Sequence, residues 1–388
     1  MVIRKISYYR VIVSLCLFMF LLSPVFGDEI SAVSFDKELP ENNIVTIQPD
    51  SLRILHNPLT GWVLYASMGV DAADFWAQYD HMYIPELGHN VSVTDYAHTL
   101  YIRASWTDFN PQEDVYGWKI DSNLRAYIEG AYQRNMRLAF RVVVDSRDKR
   151  TEFTPQFVKD AGAKGFMNKG KWSPYSDDSV FQKYYTKFVK ALAKDFNDPS
   201  KVEFIDGFGL GKWGEYHTMI YSTGDDTPKK AVFDWVTDIY SQAFDKVPVV
   251  INYHRWIGAG KDWVDDEHFA ADSEEMLEEA IKKGYSLRHD AFGMTTYYGS
   301  WERRFAKKYR NICPIIMEGG WIVKSHSYWQ DPRGYRKDSH EDVRRGEFDD
   351  SKEAHVNMMD FRFGDTEFWF KDAFDLVRRF LREGEIGR

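Results

Sequence analysis

The sequence predicts an α/β fold in which eight parallel strands close into a (β/α)8 TIM barrel. Short apolar runs alternate with helical patterns along the chain, which is typical of repeated βα units around a parallel sheet. Eight such runs are present, the number that this closed barrel requires. No glycine-rich phosphate loop follows the first run, which disfavours an open, nucleotide-binding sheet.

Each predicted strand is a short, mostly apolar run bounded by polar or turn-forming residues. In chain order the predicted strands are Gly61–Ala66, Thr99–Ala104, Arg137–Val144, Phe204–Leu210, Pro248–Tyr253, Ala291–Thr296, Pro314–Met317 and Met358–Phe363. Active sites of such barrels are built where the strands end and the following loops begin. Ionisable residues just beyond these runs are therefore the candidates for function.

Helical patterns lie between the predicted strands. Asp121 is a predicted N-cap before an apolar stripe over residues 124–132, and a second stripe of helical spacing covers Val180–Leu192. Pro228 is expected at the first position of a third helix, and Gly284 is expected to end a fourth. These helices supply the crossovers that consecutive parallel strands need.

The first residues predict export. Basic residues within positions 4–10 precede an apolar run, Val11–Leu22, and small residues follow, which is the pattern of a cleaved signal peptide. A signal anchor is the alternative, but the run is short for a bilayer span of about 20 residues. We expect a signal peptide over 1–27, an extended lead-in over 28–50 and a single catalytic barrel over 51–388. The chain would be secreted across the inner membrane, to the periplasm or the exterior, with no stable membrane insertion after cleavage.

Charge and composition exclude several partners. Loss of three basic residues with the signal peptide takes the net charge from −9 to −12, which disfavours nucleic-acid binding. Only Cys313 remains after cleavage, so no internal disulfide is expected. No metal-binding histidine or paired-cysteine motif is present, and Asp145 with Asp148 is too sparse for a calcium loop. We expect no metal and no cofactor.

Two carboxylates stand out at predicted strand ends. Glu215 follows the fourth strand in a turning, glycine-rich segment, and Glu318 follows the seventh. These strands face each other across the mouth of an eight-stranded barrel, and a retaining glycosidase needs two carboxyl groups about 5 Å apart. We expect the acid of such a pair to have a raised pKa. The alternatives are a buried arginine ion pair for Glu318 and a helix cap for Glu215.

Four segments carry a resemblance to a known group of proteins. They are Asn57–Pro58 before Gly61–Trp62, Gly209–His217, Arg288–Asp290 and Glu318–Gly320. The chain resembles an uncharacterised bacterial family of (β/α)8-barrel proteins close to the large retaining clan of (β/α)8 glycoside hydrolases, which includes many β-galactosidases, β-mannosidases and cellulases. The resemblance implies that Glu215 is the acid/base and Glu318 the nucleophile. It departs from the clan at Gly214, where the clan usually has an asparagine that binds the sugar 2-hydroxyl.

Other polar and aromatic residues near strand ends are candidates for substrate binding. Arg103 resembles the clan arginine that keeps the nucleophile ionised. The remaining candidates are Asp145, Trp213, Tyr253, His254, Asp290, Tyr298 and Trp321. Tryptophan faces can stack on sugar rings, but tryptophan is also a common core residue, and polar residues at strand ends are often helix caps. The predicted start of the sixth strand puts Asp290 at the rim opposite the two glutamates.

The sequence thus predicts a secreted glycoside hydrolase that acts on a carbohydrate substrate, a polysaccharide or oligosaccharide, with retention. The alternative is a catalytically silent carbohydrate-binding barrel, in which Glu215 and Glu318 only hydrogen-bond the glycan. A deacetylase or esterase is a third interpretation. It would need an exposed serine elbow or a metal triad, and the sequence has neither.

Overall fold

Parallel strands and helices alternate along the chain, as the sequence predicts. The structure is a computed structural model. It describes residues 59, 61–66, 68–84, 89–95, 97–147, 151–260, 267–292, 297–319 and 349–361. The predicted signal peptide and lead-in lie outside the described residues, which all belong to one unit, Ile54–Arg388.

Eight parallel strands form a closed barrel. They are β1 (Gly61–Tyr65), β2 (Ala97–Ser105), β3 (Arg137–Val143), β4 (Val202–Asp206), β5 (Val249–Asn252), β6 (Ser286–Phe292), β7 (Ile315–Gly319) and β8 (Met358–Phe361). Each strand pairs in parallel with the next, and β8 pairs in parallel with β1. The predicted eight-stranded barrel is confirmed.

Helices fill the connections between the strands. The longer ones are α1 (Ala72–Asp80), α2 (Ser122–Gln133), α3 (Ser179–Phe196), α4 (Lys229–Ala243), α5 (Glu267–Lys282) and α6 (Ser300–Tyr309). Short helical turns cover Val93–Asp95, Trp106–Phe109, Gly117–Ile120, Gln156–Asp160 and Lys212–Gly214. Two antiparallel hairpins pair Met82–Ile84 with His89–Val91 and Gly165–Asn168 with Lys171–Pro174. Within the described part of the chain, no helix has the length and apolar character to span a bilayer.

Two of the predicted helix signals are confirmed, and a third is displaced by one residue. The Asp121 carboxylate accepts a hydrogen bond from the backbone N–H of Leu124 at 2.7 Å and so caps α2. The stripe of α3 is buried against the barrel, including Phe181, Tyr185 and Phe188. Pro228 lies one residue before α4 rather than at its first position.

The sixth strand begins earlier than the sequence predicts. It starts at Ser286 and not at Ala291, so that Asp290 lies inside the strand. The charged segment there was expected to lead into the strand at the opposite rim, but its charges face ion-pair partners inside the barrel. Asp290 is therefore not at the opposite rim, which corrects the sequence-based placement.

The barrel interior is apolar on the side away from the carboxyl ends of the strands. Because side chains of a strand alternate between its two faces, every second residue points inward. The inward apolar set is Val63, Tyr65, Tyr101, Ala139, Phe204, Val250, Ile316 and Met358. A second, larger cluster packs the outward strand faces against the helices. The next inward positions towards the carboxyl ends of the strands carry the charged residues described below.

Candidate active site

A layer of charged side chains follows the apolar layer inside the barrel. Arg103, Arg141, Asp206 and Glu318 each stand two positions beyond an interior apolar residue, and Arg288 and Asp290 of β6 join them through ion pairs. Arg141, Asp206, Arg288 and Glu318 are 0% exposed. An unpaired ion buried to this degree costs several kcal/mol, so the layer must neutralise itself.

The buried charges form a continuous set of ion pairs. Arg141 bridges two carboxylates: its Nε lies 2.6 Å from Asp206 Oδ2 and its Nη1 lies 2.6 Å from Asp290 Oδ2. Arg288 also bridges two: its Nε lies 2.7 Å from Asp290 Oδ1 and its Nη2 lies 2.5 Å from Glu318 Oε2. Glu318 is therefore held by a guanidinium at the end of β7.

The segment that carries Glu215 has an unusual backbone. Trp213, Tyr216 and Thr218 adopt positive φ angles of 60°, 59° and 53°, a conformation that residues other than glycine rarely adopt. Gly209, with φ +68°, is confined more strictly, because a Cβ there would lie 2.3 Å from the carbonyl oxygen of Val142. Such strained backbone is typical of functional segments. Here it folds the loop back over the end of β4, with the Glu215 side chain nearly buried.

Cations and histidines surround Glu215. Its Oε1 lies 3.5 Å from Arg141 Nη1 and 3.9 Å from Arg103 Nη2, and its Oε2 lies 3.4 Å from His217 Nε2. His254 Nε2 donates to the Glu215 backbone carbonyl at 2.7 Å. None of these contacts caps a helix. The alternative role of Glu215 as a helix cap therefore does not describe its surroundings.

Glu215 holds its proton at neutral pH. Burial, followed by the negative charge of Asp290, raises the pKa of Glu215 to about 8, although Arg103 and Arg141 oppose the rise. Glu318 adds to it, which places the two glutamates within electrostatic reach of each other. The predicted raised pKa is confirmed. The separation of the two carboxyl carbons, expected at about 5 Å, stays a prediction.

The arginine beside Glu318 is not the one that the sequence suggested. Arg103 was expected to keep Glu318 ionised, but its Nη2 donates to the Trp213 carbonyl at 2.7 Å, and its ion pair is with Glu215. Arg288 pairs with Glu318 instead. Arg288 was missed because the misplaced start of β6 put it at the wrong rim. Arg141 was missed because it lies inside a predicted strand and not at its end. The two-residue alternation past Ala139 was the signal that could have found Arg141.

The other candidates near Glu215 serve its loop. Trp213 contributes its carbonyl to Arg103, and Lys212 Nζ lies 4.3 Å from the centre of its ring. His254 is neutral, because burial and then His217 lower its pKa to about 3. Its neutral ring bonds the loop to the end of β5.

Four further candidates lie away from the two glutamates or cannot be placed. Asp145 is bonded to the Nε of Arg147 at 2.7 Å, within its own loop. Tyr253 and Tyr298 lie in the core between strands and helices, with their hydroxyl oxygens 3.3 Å apart. The structure thus does not bring these residues to the charged layer. Trp321 lies outside the described residues.

A cavity opens beside the charged layer. It has a volume of about 370 Å³ and is lined in part by Tyr65, Ser105 and Phe153, together with Arg103. Arg103 Nη1 donates to the Tyr65 hydroxyl at 3.3 Å. Burial raises the pKa of Tyr65 to about 12, so this hydroxyl keeps its proton. The volume falls within the range of small-ligand pockets, about 300–1,000 Å³.

Comparison with known proteins gives matches in structure only. No protein-family model and no curated protein matches the chain. Solved structures with similarity include an endo-glycoceramidase II from Rhodococcus sp., with 13% identity and a TM-score of 0.45 over 78% of this chain and 72% of that one. An endo-1,4-β-mannanase from Rhizomucor miehei has 11% identity and a TM-score of 0.45 over 79% and 87%. An exo-β-1,4-mannosidase from Opitutaceae bacterium strain TAV5 has 11% identity and a TM-score of 0.45, over 81% of this chain and 55% of that one.

Proposed function

We propose that the protein is a glycoside hydrolase that cleaves O-glycosidic bonds of a polysaccharide or oligosaccharide with retention, Glu215 serving as acid/base and Glu318 as nucleophile. One observation carries the proposal. Two carboxyl groups at the same end of one barrel have opposite surroundings: burial and Asp290 raise the pKa of Glu215, and Glu318 is ion-paired with Arg288. Environments that push two carboxyl groups apart in this way assign one as acid and the other as nucleophile.

Burial with an arginine partner alone would also suit a structural Glu318. What distinguishes this site is the neighbouring Glu215, which remains protonated although Arg103 and Arg141 both favour its ionised form. Burial alone raises the pKa of a structural carboxyl group as well, so the catalytic assignment rests on the combination of this protonated group with an arginine-paired carboxylate at the same end of the barrel. A general acid needs that proton.

The chemistry divides into two displacements. In the first, a Glu318 oxygen bonds to the anomeric carbon while the bond to the leaving oxygen breaks, and the Glu215 proton moves to that oxygen. In the second, Glu215, now ionised, takes a proton from water, whose oxygen bonds to the anomeric carbon as the bond to Glu318 breaks. Arg103 and Arg141 stabilise Glu215 in its ionised form between the two steps. The sugar leaves with its original anomeric configuration.

Export is part of the same proposal. The first 27 residues have the pattern of a signal peptide, so the enzyme would meet its glycan in the periplasm or outside the cell. N-terminal sequencing of the protein recovered from the periplasm and the medium tests this point. A mature chain beginning near Asp28 supports export, and a full-length chain that stays with the cytoplasm contradicts it.

Hydrolysis of a broad glycan panel, with the product anomer followed by proton NMR, tests the function. We expect one group of glycans to be cleaved, with the first product in the configuration of the substrate. A product that first appears as the opposite anomer excludes the double displacement. If the protein binds glycans but cleaves none, it is the silent carbohydrate-binding barrel instead.

A further inference from the structure

Asp290 joins the two arginines that contact the candidate catalytic glutamates. Its Oδ2 lies 2.6 Å from Arg141 Nη1, which in turn lies 3.5 Å from Glu215 Oε1. Its Oδ1 lies 2.7 Å from Arg288 Nε, and Arg288 Nη2 lies 2.5 Å from Glu318 Oε2. A path of ion pairs between the glutamates therefore runs through one carboxylate of β6.

These contacts leave Asp290 no free oxygen for a sugar. Each oxygen is ion-paired with a different arginine, and Asn252 Nδ2 donates to Oδ2 at 3.4 Å. The residue is 7% exposed. The sequence-based role of Asp290 as a substrate-binding residue is thus at odds with its ion pairs and its burial.

We propose that Asp290 is a positioning residue that couples the two glutamates, holding Arg141 beside Glu215 and Arg288 against Glu318 while its negative charge faces Glu215. The inference rests on the proposed function and adds to it a group that does not touch the substrate. Arginine suits this bridging, because its planar guanidinium presents several N–H groups in fixed directions to two acceptors at once.

The charges around Glu215 show why Asp290 matters. Arg103 faces Glu215 from β2, Arg141 from β3, Asp290 from β6 and Glu318 from β7, while His217 of its own loop and neutral His254 after β5 complete the surroundings. The pKa of Asp290 lies well below its usual range: burial opposes this, but Arg141 and Arg288 outweigh it. Asp290 is therefore ionised over the pH range in which Glu215 titrates, and after burial it is the largest cause of the raised pKa of Glu215.

Asp206 provides a matched comparison. It is also buried, and it contacts the same two arginines, with Oδ2 lying 2.6 Å from Arg141 Nε and 3.6 Å from Arg288 Nε. It reaches the arginines at Nε, whereas the nitrogens beside the glutamates are Nη1 of Arg141 and Nη2 of Arg288. A variant at Asp206 should therefore disturb the ion pairs without acting directly on Glu215.

The test is the titration of the Glu215 carboxyl in Asp290→Asn, which keeps the shape and removes the charge. The protonated carboxyl is followed by its C=O stretch in difference infrared spectra and assigned with Glu215→Gln. We expect the midpoint to fall by about one pH unit or more, because a like charge that opposes ionisation is gone. In Asp206→Asn the midpoint should stay within a few tenths of a unit of the parent value. Equal shifts in both variants, or none in Asp290→Asn, would overturn the proposal.

Asp290→Glu serves as the rescue variant and guards against a misfolded Asn variant. It keeps the negative charge, so the Glu215 midpoint should remain close to the parent value. A fall of one unit or more in Asp290→Glu would overturn the proposal even if Asp290→Asn does not fold. Because the titration needs no substrate, its outcome is independent of whether any glycan is hydrolysed, and the two proposals can fail separately.

Discussion

At the residue scale, the proton on Glu215 follows from its burial and from the charges nearest to it. The described layer holds three guanidinium groups, Arg103, Arg141 and Arg288, and four carboxyl groups, Asp206, Asp290, Glu215 and Glu318. Burial disfavours the ionised form of a carboxyl group, and a nearby negative charge disfavours it further. Glu215 keeps its proton because Asp290 lies near it and its arginine contacts, at 3.5 and 3.9 Å, are looser than those of Glu318.

The proton on Glu215 predicts how kcat/KM depends on pH on the basic side. For a natural glycan, kcat/KM should fall above about pH 8, because Glu215 then loses the proton that the leaving group needs. A dinitrophenyl glycoside of the same sugar is the control, since its leaving group departs without a proton. Its kcat/KM should stay level through the same range. Parallel profiles for both substrates would show that this fall does not report the acid.

Residue-level prediction from the sequence started from polar residues that follow strand ends. Glu215 and Glu318 were singled out in this way, but burial and then Asp290, rather than Glu318, are the main causes of the raised pKa of Glu215. Arg288 could not be placed, because its role depends on the register of β6, which charged residues obscure. Tyr253 was misassigned because its position at a strand end shows how far along the barrel axis it lies. That position does not show whether the side chain points into the barrel or towards the helices.

At the element scale, the loop after β4 determines where Glu215 lies. Its path depends on left-handed residues and on close approach to β3, since the Val144 backbone N–H donates to the Gly209 carbonyl at 3.2 Å. This irregular backbone also explains why β4 ends at Asp206 and not at Leu210, as the sequence predicts. Strand periodicity describes regular backbone only, so it does not reveal where a strand gives way to a folded loop.

Gly209→Ala tests this dependence. A Cβ at Gly209 would lie 2.3 Å from the Val142 carbonyl oxygen and 2.6 Å from the Tyr185 hydroxyl. Gly224, with φ +78°, has nothing within 4 Å of its Cβ position, so Gly224→Ala carries only the left-handed cost of about 1–2 kcal/mol. We expect Gly209→Ala to lose more free energy of unfolding in urea than Gly224→Ala, and to lose hydrolysis as well. Equal losses of stability would mean that the loop is not held by this contact.

At the scale of the whole molecule, the barrel could be predicted because its signal is repeated. Errors of a few residues in the bounds of β4 and β6 leave the count and the alternation of strands unchanged. The hairpin Gly165–Pro174 was not predicted, since its two short strands are partly exposed and lack an apolar period. The fold could thus be predicted from the repeated pattern. The site depends on where each side chain lies along its strand, and one misplaced strand start moved Asp290 to the wrong rim of the barrel.

The retained proton also links the site to overall stability. The pKa of Glu215 is about 8 in the folded protein and near 4.5 when unperturbed, so between these values the unfolded chain binds fewer protons than the folded one. The free energy of unfolding therefore carries a contribution that falls as pH rises through this window, by at most about 1.4 kcal/mol per pH unit. Above about pH 8 the contribution is lost completely.

Glu215→Gln isolates this contribution. We expect its free energy of unfolding, measured in urea at a series of pH values, to gain on the parent by a few kcal/mol between about pH 4.5 and pH 8. His254, whose pKa burial lowers to about 3, destabilises both proteins below pH 6.5 and cancels in the difference. A difference that stays constant across the range would contradict the raised pKa.

The division of roles between the two glutamates is tested most directly by the mass of Glu215→Ala after reaction with a dinitrophenyl glycoside of a sugar that the parent hydrolyses. Glu203→Ala is the matched control. Glu203 is also buried and is ion-paired with Arg137, but it lies at the start of β4, at the opposite end of the barrel. The account predicts that Glu215→Ala accumulates one glycosyl adduct, which peptide mapping places on Glu318. Azide should speed the release of this adduct, and the rate of hydrolysis of natural glycans should fall by about 10²- to 10⁴-fold. Hydrolysis of natural glycans near the parent rate, or an adduct on any residue other than Glu318, would contradict it.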